Sequence, residues 1–331
     1  MSAPPSGGGG ALINEVLTDD ELRAVLTRLG PESERDAFGL VCRRWLRIQS
    51  SERRRLRARA GPDMLRRLAA RFPGVLELDL SQNPSRSFYP GVIDDDLDVI
   101  AGSFRNLRVL ALQNCKGISD VGVAKLGDGL PSLQSLDVSR CIKLSDKGLK
   151  AVALGCQKLR QLHITGCRLI TDNLLIALSK SCLQLEDLGA AGCNSITDAG
   201  ISSLADGCHH IKLLDISKCN KVGDPGVCKI AEVSSSNLLS IKLLDCSKDG
   251  EGNGFQSELR VLKISSCVRL TVAGVSSVIK SFKALEYLDV RSCPQVSRDS
   301  CEQAGVQFPS ACKVNFYGSL LESDPSAERF F

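Results

Sequence analysis

The chain has 331 residues, 43% of them apolar but only 4% aromatic, with a formal net charge of +4. That charge is too small to point to nucleic acid, and no stretch approaches the roughly 18 apolar residues of a membrane span. A core so poor in aromatics must be built from Leu, Ile, Val, Ala and Cys, which suits thin stacked layers.

Residues 1–12 open with MSAPPSGGGG. They are small and flexible, with no apolar run of the secretory kind behind them. A disordered leader and a place in the cytoplasm, the nucleus or both are expected. Residues 13–50 contain LTDDELRAVLTRLGPESERDAFGLVCRRWLRI at 17–48. Leu22, Val25, Leu26 and Leu29 make one helix face, with Asp19 and Asp20 near its start. Gly30-Pro31 breaks the pattern, and Phe38, Leu40, Val41, Trp45 and Leu46 form a second apolar set. About forty residues can hold little core alone. On these grounds the segment is either a helical cap for the rest of the chain or a module of its own.

The module resembles the F-box. Leu17, Asp19, Leu22, Val25, Leu26, Arg28 and Leu29 match that family's opening L-P-D-x-L-L-x-x-I-F-S-x-L. Leu40-Val41-Cys42-Arg43-Arg44-Trp45 is close to its closing L-V-C-[KR]-x-W. Two departures stand out. Thr18 replaces the usual proline, which is expected to loosen the entry turn, and Glu21 replaces an apolar contact. The resemblance implies that Leu17, Leu22, Val25, Leu26, Leu29, Leu40, Val41 and Trp45 bind a Skp-family adaptor and, through it, a cullin.

Residues 51–73 continue an arginine-rich run, with eleven arginines from Arg43 to Arg71. A basic linking helix is expected here, with Leu56, Leu65 and Leu68 packed inward. A patch for an acidic partner and a nuclear-import signal are the alternatives.

Residues 74–317 repeat one sentence. LRVLALQNC at 107, LQSLDVSRC at 133, LRQLHITGC at 159, LEDLGAAGC at 185 and IKLLDISKC at 211 begin 26 residues apart. Alternating apolar residues make each opening a short strand. The second half, as in LSDKGLKAVA and ITDAGISSLA, has apolar residues three and four apart, a helix face started by a Ser/Thr-Asp pair suited to capping. One strand–turn–helix unit cannot cover its own apolar face, but a stack can. The pattern closely resembles the cysteine-containing leucine-rich repeat. It implies an α/β horseshoe with strands on the concave side, after a small all-α module. Ten strand openings are expected, at 75, 107, 133, 159, 185, 211, 238, 259, 285 and 311.

Eight of the 15 cysteines follow the same period: Cys115, Cys141, Cys167, Cys193 and Cys219 in one series, Cys156, Cys182 and Cys208 in another. Cysteines locked to a repeat read as packed free thiols, not disulfides. With no C-x-x-C and three histidines, zinc is not expected. The unit at 238–258 is short and carries SKDGEGNGFQSE where a helix face should be, so a weak seam with faster hydrogen exchange is expected there. DGEGNG at 249–254 mimics half a calcium loop, but Arg260 stands where the closing glutamate belongs.

An F-box followed by such repeats is itself an arrangement of a plant-like family. It implies a substrate receptor of a Skp–cullin–F-box ubiquitin ligase, acting by proximity. No nucleophile–base, P-loop or H-E-x-x-H motif suggests an enzyme, and no cofactor is expected. A scaffold or inhibitor with a helical N-terminal cap is the alternative. Between the buried leucines, Arg140, His163, Gly189, Lys218, Lys242, Lys263, Tyr287 and Arg291 are expected on the concave face, with Asp137, Asp215 and Asp289. The later layers lean basic, so an acidic or phosphorylated protein target fits, as does an ordinary solvated face. Gly189, Ala191 and Gly192 leave the floor bare, either as a shallow pocket between His163 and Asp215 or as a packing compromise. Residues 318–331 form a tail.

Overall fold

The computed structural model describes residues 13–58, 61–83, 91–223, 225, 226, 229, 240–242, 261–263, 271–281, 285–291, 293 and 295–316. The expected leader, the loop after 242 with its calcium-like stretch, and the tail lie outside the described residues.

Four helices open the chain: α1 (Ile13–Val16), α2 (Asp19–Arg28), α3 (Glu32–Leu40) and α4 (Arg43–Glu52). Thr18 caps α2, and its departure from proline does not loosen the turn. Its backbone N–H donates to Glu21 Oε2 at 2.7 Å, and the Glu21 N–H donates back to Thr18 Oγ1 at 3.3 Å. The two departures from the F-box pattern thus form one reciprocal capping box. The Thr18 N–H bond, with a second from the Thr18 hydroxyl at 2.8 Å, holds the Glu21 carboxyl below its ordinary pKa. Leu22, Leu26, Phe38, Trp45 and Ile48 make a small core of their own, with Leu17, Leu29 and Cys42 packed around it. Phe38 and Trp45 stack with ring centres 4.4 Å apart.

The segment expected as one linking helix instead holds a strand, β1 (Arg55–Arg57), and a helix, α5 (Pro62–Arg71). Gly61 with a positive φ and Pro62 in the first turn start that helix. Leu65 is fully buried and Leu56 and Leu68 pack beside it, while the neighbouring arginines face solvent. The solenoid therefore begins one layer earlier than its Leu/Cys signature.

The other strands are β2 (Glu77–Asp79), β3 (Val109–Ala111), β4 (Ser135–Asp137), β5 (Gln161–His163), β6 (Asp187–Gly189), β7 (Leu213–Asp215), β8 (Ser240–Lys242), β9 (Val261–Lys263), β10 (Tyr287–Asp289) and β11 (Lys313–Asn315). Among the described residues these make one parallel sheet in strict chain order. The register keeps the middle residue of each strand in line, as in Leu110↔Leu136 and Leu136↔Leu162, and that row is buried from Leu78 to Leu214 and again at Leu262 and Leu288. Strands either side of the shortened unit also pair, Leu214↔Ile241 and Ile241↔Leu262.

On the outer side lie α6 (Asp94–Ser103), α7 (Asp120–Gly129), α8 (Asp146–Gly155), α9 (Asp172–Ser181), α10 (Asp198–Gly207), α11 (Val272–Ser281) and α12 (Arg298–Gln303). Strands sit about 4.8 Å apart while helices need 8–10 Å. The stack must curve with the strands inside.

Two side-chain ladders tie the layers. As expected, Ser119, Ser145, Thr171 and Thr197 cap their helices. The aspartate that comes after each cap acts between layers, which the repeat pattern alone did not suggest. Asp120 accepts from Ser145 N–H at 2.9 Å and from its hydroxyl at 2.5 Å. Asp94, Asp146 and Asp172 repeat the arrangement with Ser119, Thr171 and Thr197. At the next step Gly223 offers only its N–H to Asp198, 2.8 Å away, so the hydroxyl bond ends where the regular repeats end.

The cysteines form the second ladder. Cys141, Cys167, Cys193 and Cys219 are each buried and donate to a carbonyl of the preceding layer at 3.2–3.3 Å. Cys156 and Cys208 do likewise near the helix ends. All described cysteines are free thiols. Burial pushes Cys156, Cys193, Cys208 and Cys219 up to about 12, and Cys167 and Cys182 to about 11. An unfolded thiol ionises near 8.5, so the stability these groups contribute is complete below that pH. It is lost as pH rises toward the folded values. Alkaline titration followed by circular dichroism should therefore show unfolding that begins above about pH 9. The buried thiols should also react with a thiol reagent at neutral pH only in denaturant. Rapid labelling of Cys167 or Cys193 in the folded chain would contradict this packing.

Candidate functional site

Two surfaces bear on function, the helical module and the concave sheet. In the module, the residues expected to bind an adaptor divide sharply. Leu22 is fully buried, Leu26 is 6% exposed and Trp45 is 8% exposed, all inside the module's core. Leu17 and Leu29 are half-buried against it. These five hold the module together, and a partner meets little of them. By contrast Leu40 is 85% exposed, Val41 53% and Val25 39%. Ile13 and Val16 on α1 are exposed too, and sequence reasoning passed over them.

Asn14 was also missed. Its side-chain oxygen accepts from Trp45 Nε1 at 2.5 Å, and its backbone oxygen accepts from Arg44 at 2.5 Å. Arg44 also donates to the Leu17 carbonyl and to Asp19 Oδ1. This fork staples α1 and the start of α2 onto α4, so that the exposed Leu40–Val41 corner is carried on a braced support.

On the concave face, some charges are neutralised between neighbouring strands. Arg55 pairs with Glu77 at 2.7 Å, Arg57 with Asp79 at 3.2 Å, and Asp137 accepts from Gln113. Arg291 is not the free cation the sequence suggested: it grips Asp289 through Nε and Nη2, and Asp289 is buried. The shared charge holds the Arg291 guanidinium above its ordinary pKa, with the Asp289 hydrogen bond as the main cause. Tyr287 lies half-buried on the same strand. Lys242 and Lys263 sit at matching positions of β8 and β9.

The bare floor around Gly189 is not empty. His163 leans across it, so that a Cβ at 189 would lie 2.5 Å from His163 Nδ1. The ring's other nitrogen is 3.6 Å from Asp187 Oδ2. The absent side chain at 189 makes room for an imidazole, so the expected pocket between His163 and Asp215 is at least partly filled by the protein itself. Arg140 and Lys218 occupy the turn after their strands with φ of 61°, the position taken by Gly166 and Gly192 in the intervening layers. Both are exposed, and no ion pair engages Arg140 among the described residues. Among those residues no cluster of three His, Cys, Asp or Glu could hold a metal ion, and no helix is long and apolar enough to cross a membrane.

A parallel ladder of short strands with buried Leu and Cys at a 26-residue period, helices outside, defines a leucine-rich-repeat solenoid. Residues 105–127, 129–153, 155–179 and 207–231 match the family model described as Leucine Rich repeat. Two curated relatives are plant proteins. F-box/LRR-repeat protein 12 of Arabidopsis thaliana is 32% identical over 134 residues, covering 35% of this chain and 32% of that protein. A Transport inhibitor response 1-like protein of Oryza sativa subsp. japonica is 30% identical over 137 residues, covering 32% and 24%. The matched region thus spans a third or less of either relative. Among solved structures, a chain of the Rad7 and Elc1 complex in yeast aligns with a TM-score of 0.44 at 16% identity, covering 89% of this chain and 92% of that one. LegL7 from Legionella pneumophila aligns with a TM-score of 0.47 at 17% identity, covering 87% and 88%. The chain folds as a leucine-rich-repeat solenoid with a helical N-terminal module, and about a third of it is similar to a plant F-box/LRR-repeat protein.

Proposed function

We propose that this chain is the substrate-recognition subunit of a Skp–cullin–F-box ubiquitin ligase, with the helical module docking a Skp-family adaptor and the concave sheet holding a protein target. One observation carries the reading. The module has a core separate from that of the solenoid, and it keeps Leu40 and Val41 uncovered. A mere end-cover would turn its apolar residues onto the first layer. A docking unit keeps some of them for a partner, as exposed apolar clusters generally do. The similarity to a protein named for both an F-box and leucine-rich repeats agrees with this. The chain brings no catalytic group to the reaction; its contribution is to raise the target's local concentration beside the transferring enzyme. An acidic or phosphorylated target suits the free cation of Arg140, with Lys218 at the equivalent turn three layers along the same rim.

The test is capture of a purified Skp adaptor by the full chain and by Leu40→Asp with Val41→Asp. These two positions are exposed, so the variant should keep its far-UV spectrum while capture falls at least about tenfold, since removing well-placed apolar contacts at an interface costs about 1–2 kcal/mol each. Undiminished capture by the variant would move the adaptor surface elsewhere. A wild-type chain that captures no adaptor would favour a scaffold or inhibitor capped by helices.

A further inference from the structure

Where the helical module meets the first layer, α2, α4 and the end of α5 enclose a cleft of about 760 Å³. Five arginines line it (Arg23, Arg43, Arg44, Arg47 and Arg71), against one carboxylate, Asp19. That carboxylate is already engaged by Arg44 at 2.7 Å, and Arg44's other nitrogens are taken up by the Asn14 and Leu17 carbonyls. Arg23 pairs with Asp20 and Glu52 outside the cleft's own lining. Arg43, Arg47 and Arg71 have no carboxylate partner among the described residues; Arg71 rests its guanidinium 5.0 Å from the ring centre of Phe72.

Three unpaired guanidiniums in one concavity repel one another, and an anion relieves that repulsion. The rest of the lining says which kind. Leu46, Ala70 and Pro73 add apolar surface to the same lining as the cations. A bare phosphate would satisfy the arginines and leave that surface wet. A peptide that alternates carboxylates with apolar side chains satisfies both, because arginine forks take carboxylates bidentately. We propose that this cleft is a docking site for an acidic segment of a partner protein that carries apolar side chains between its carboxylates. Neither Leu40 nor Val41 lines it, and a partner seated here is held at the junction of module and solenoid.

The experiment measures fluorescence anisotropy of a labelled short peptide alternating Glu or Asp with Leu and Phe, titrated with the full chain. The same peptide with Gln and Asn in place of its acids is the control ligand, and inorganic tripolyphosphate is the competing anion. Arg43→Glu with Arg47→Glu is expected to weaken binding by about tenfold or more. Arg66→Glu with Arg67→Glu, equally basic positions on α5 that do not line the cleft, should leave it unchanged. Raising NaCl from about 0.05 to about 0.5 M should weaken the wild-type complex. The proposal is overturned if the acidic peptide does not bind, if both variant pairs weaken it equally, if the neutral peptide binds as well, or if only tripolyphosphate binds. No adaptor is present in this assay, so its outcome is independent of the ligase reading.

Discussion

Trp45→Ala is expected to unfold the N-terminal module while the solenoid keeps its own protection. Trp45 is 8% exposed, stacks on Phe38 and donates its indole N–H to Asn14. Removing it leaves a cavity, strands the Asn14 acceptor and breaks one of the links that hold α1 on α4. Such truncations cost about 3–5 kcal/mol in a packed core. A module of some forty residues has little stability beyond that. The solenoid core, in contrast, is continuous from Leu65 onward and does not include Trp45. Hydrogen exchange read by fragment should therefore show protection lost over residues 13–52 and retained over 107–219. Equal loss in both regions would mean that the two cores are one cooperative unit, and the picture of a separate docking module would fail. The variant also separates two ways of losing a partner. Trp45→Ala should abolish adaptor capture by unfolding, and Leu40→Asp with Val41→Asp by surface change alone.

That contrast marks where the sequence was legible and where it was not. The horseshoe could be seen because one rule repeats: Leu and Cys every 26 residues must stack in register, and the structure has them so. The first layer escaped because its strand reads Arg-Leu-Arg, with Leu56 the lone apolar residue at its centre. Its flanking arginines looked like linker charge, though they pair with Glu77 and Asp79 of the next strand. In the module, spacing marked the apolar residues but could not tell core from docking surface. Leu26 and Leu40 look alike as letters; only packing hides one and leaves the other out. Thr18 and Glu21 were legible in principle, since Ser/Thr with Glu three residues later is a capping-box pattern. Set only against a family pattern, each looked like a defect; set against each other, they are a cap. The Asp120–Ser145 bond was beyond local reading. It joins residues 25 apart and exists only once the layers have stacked.

Gly155→Ala should destabilise the solenoid by about 1–3 kcal/mol, whereas Gly102→Ala should stabilise it by about 0.5–1 kcal/mol. Both glycines lie near the ends of outer helices, where alanine is ordinarily the better helix former. Their surroundings decide the sign. At 102 a methyl group would meet nothing within 4 Å. At 155 it would press on the backbone of Gly127 in the preceding helix, with the Gly127 Cα 2.8 Å away and its carbonyl closer still. Gly127 in turn faces the Ala151 carbonyl, so α7 and α8 approach through a matched pair of missing side chains. A side chain there must push the helices apart. The strands on the other side are held at their spacing by backbone hydrogen bonds, so extra width outside must appear as tighter curvature inside. Urea unfolding of the two variants measures the energies. Target capture by any Gly155→Ala chain that stays folded should fall with the altered arc, although position 155 touches no concave residue. A gain in stability for Gly155→Ala equal to that for Gly102→Ala would mean that the helices have slack, and the curvature of the target face would then not be set by this contact.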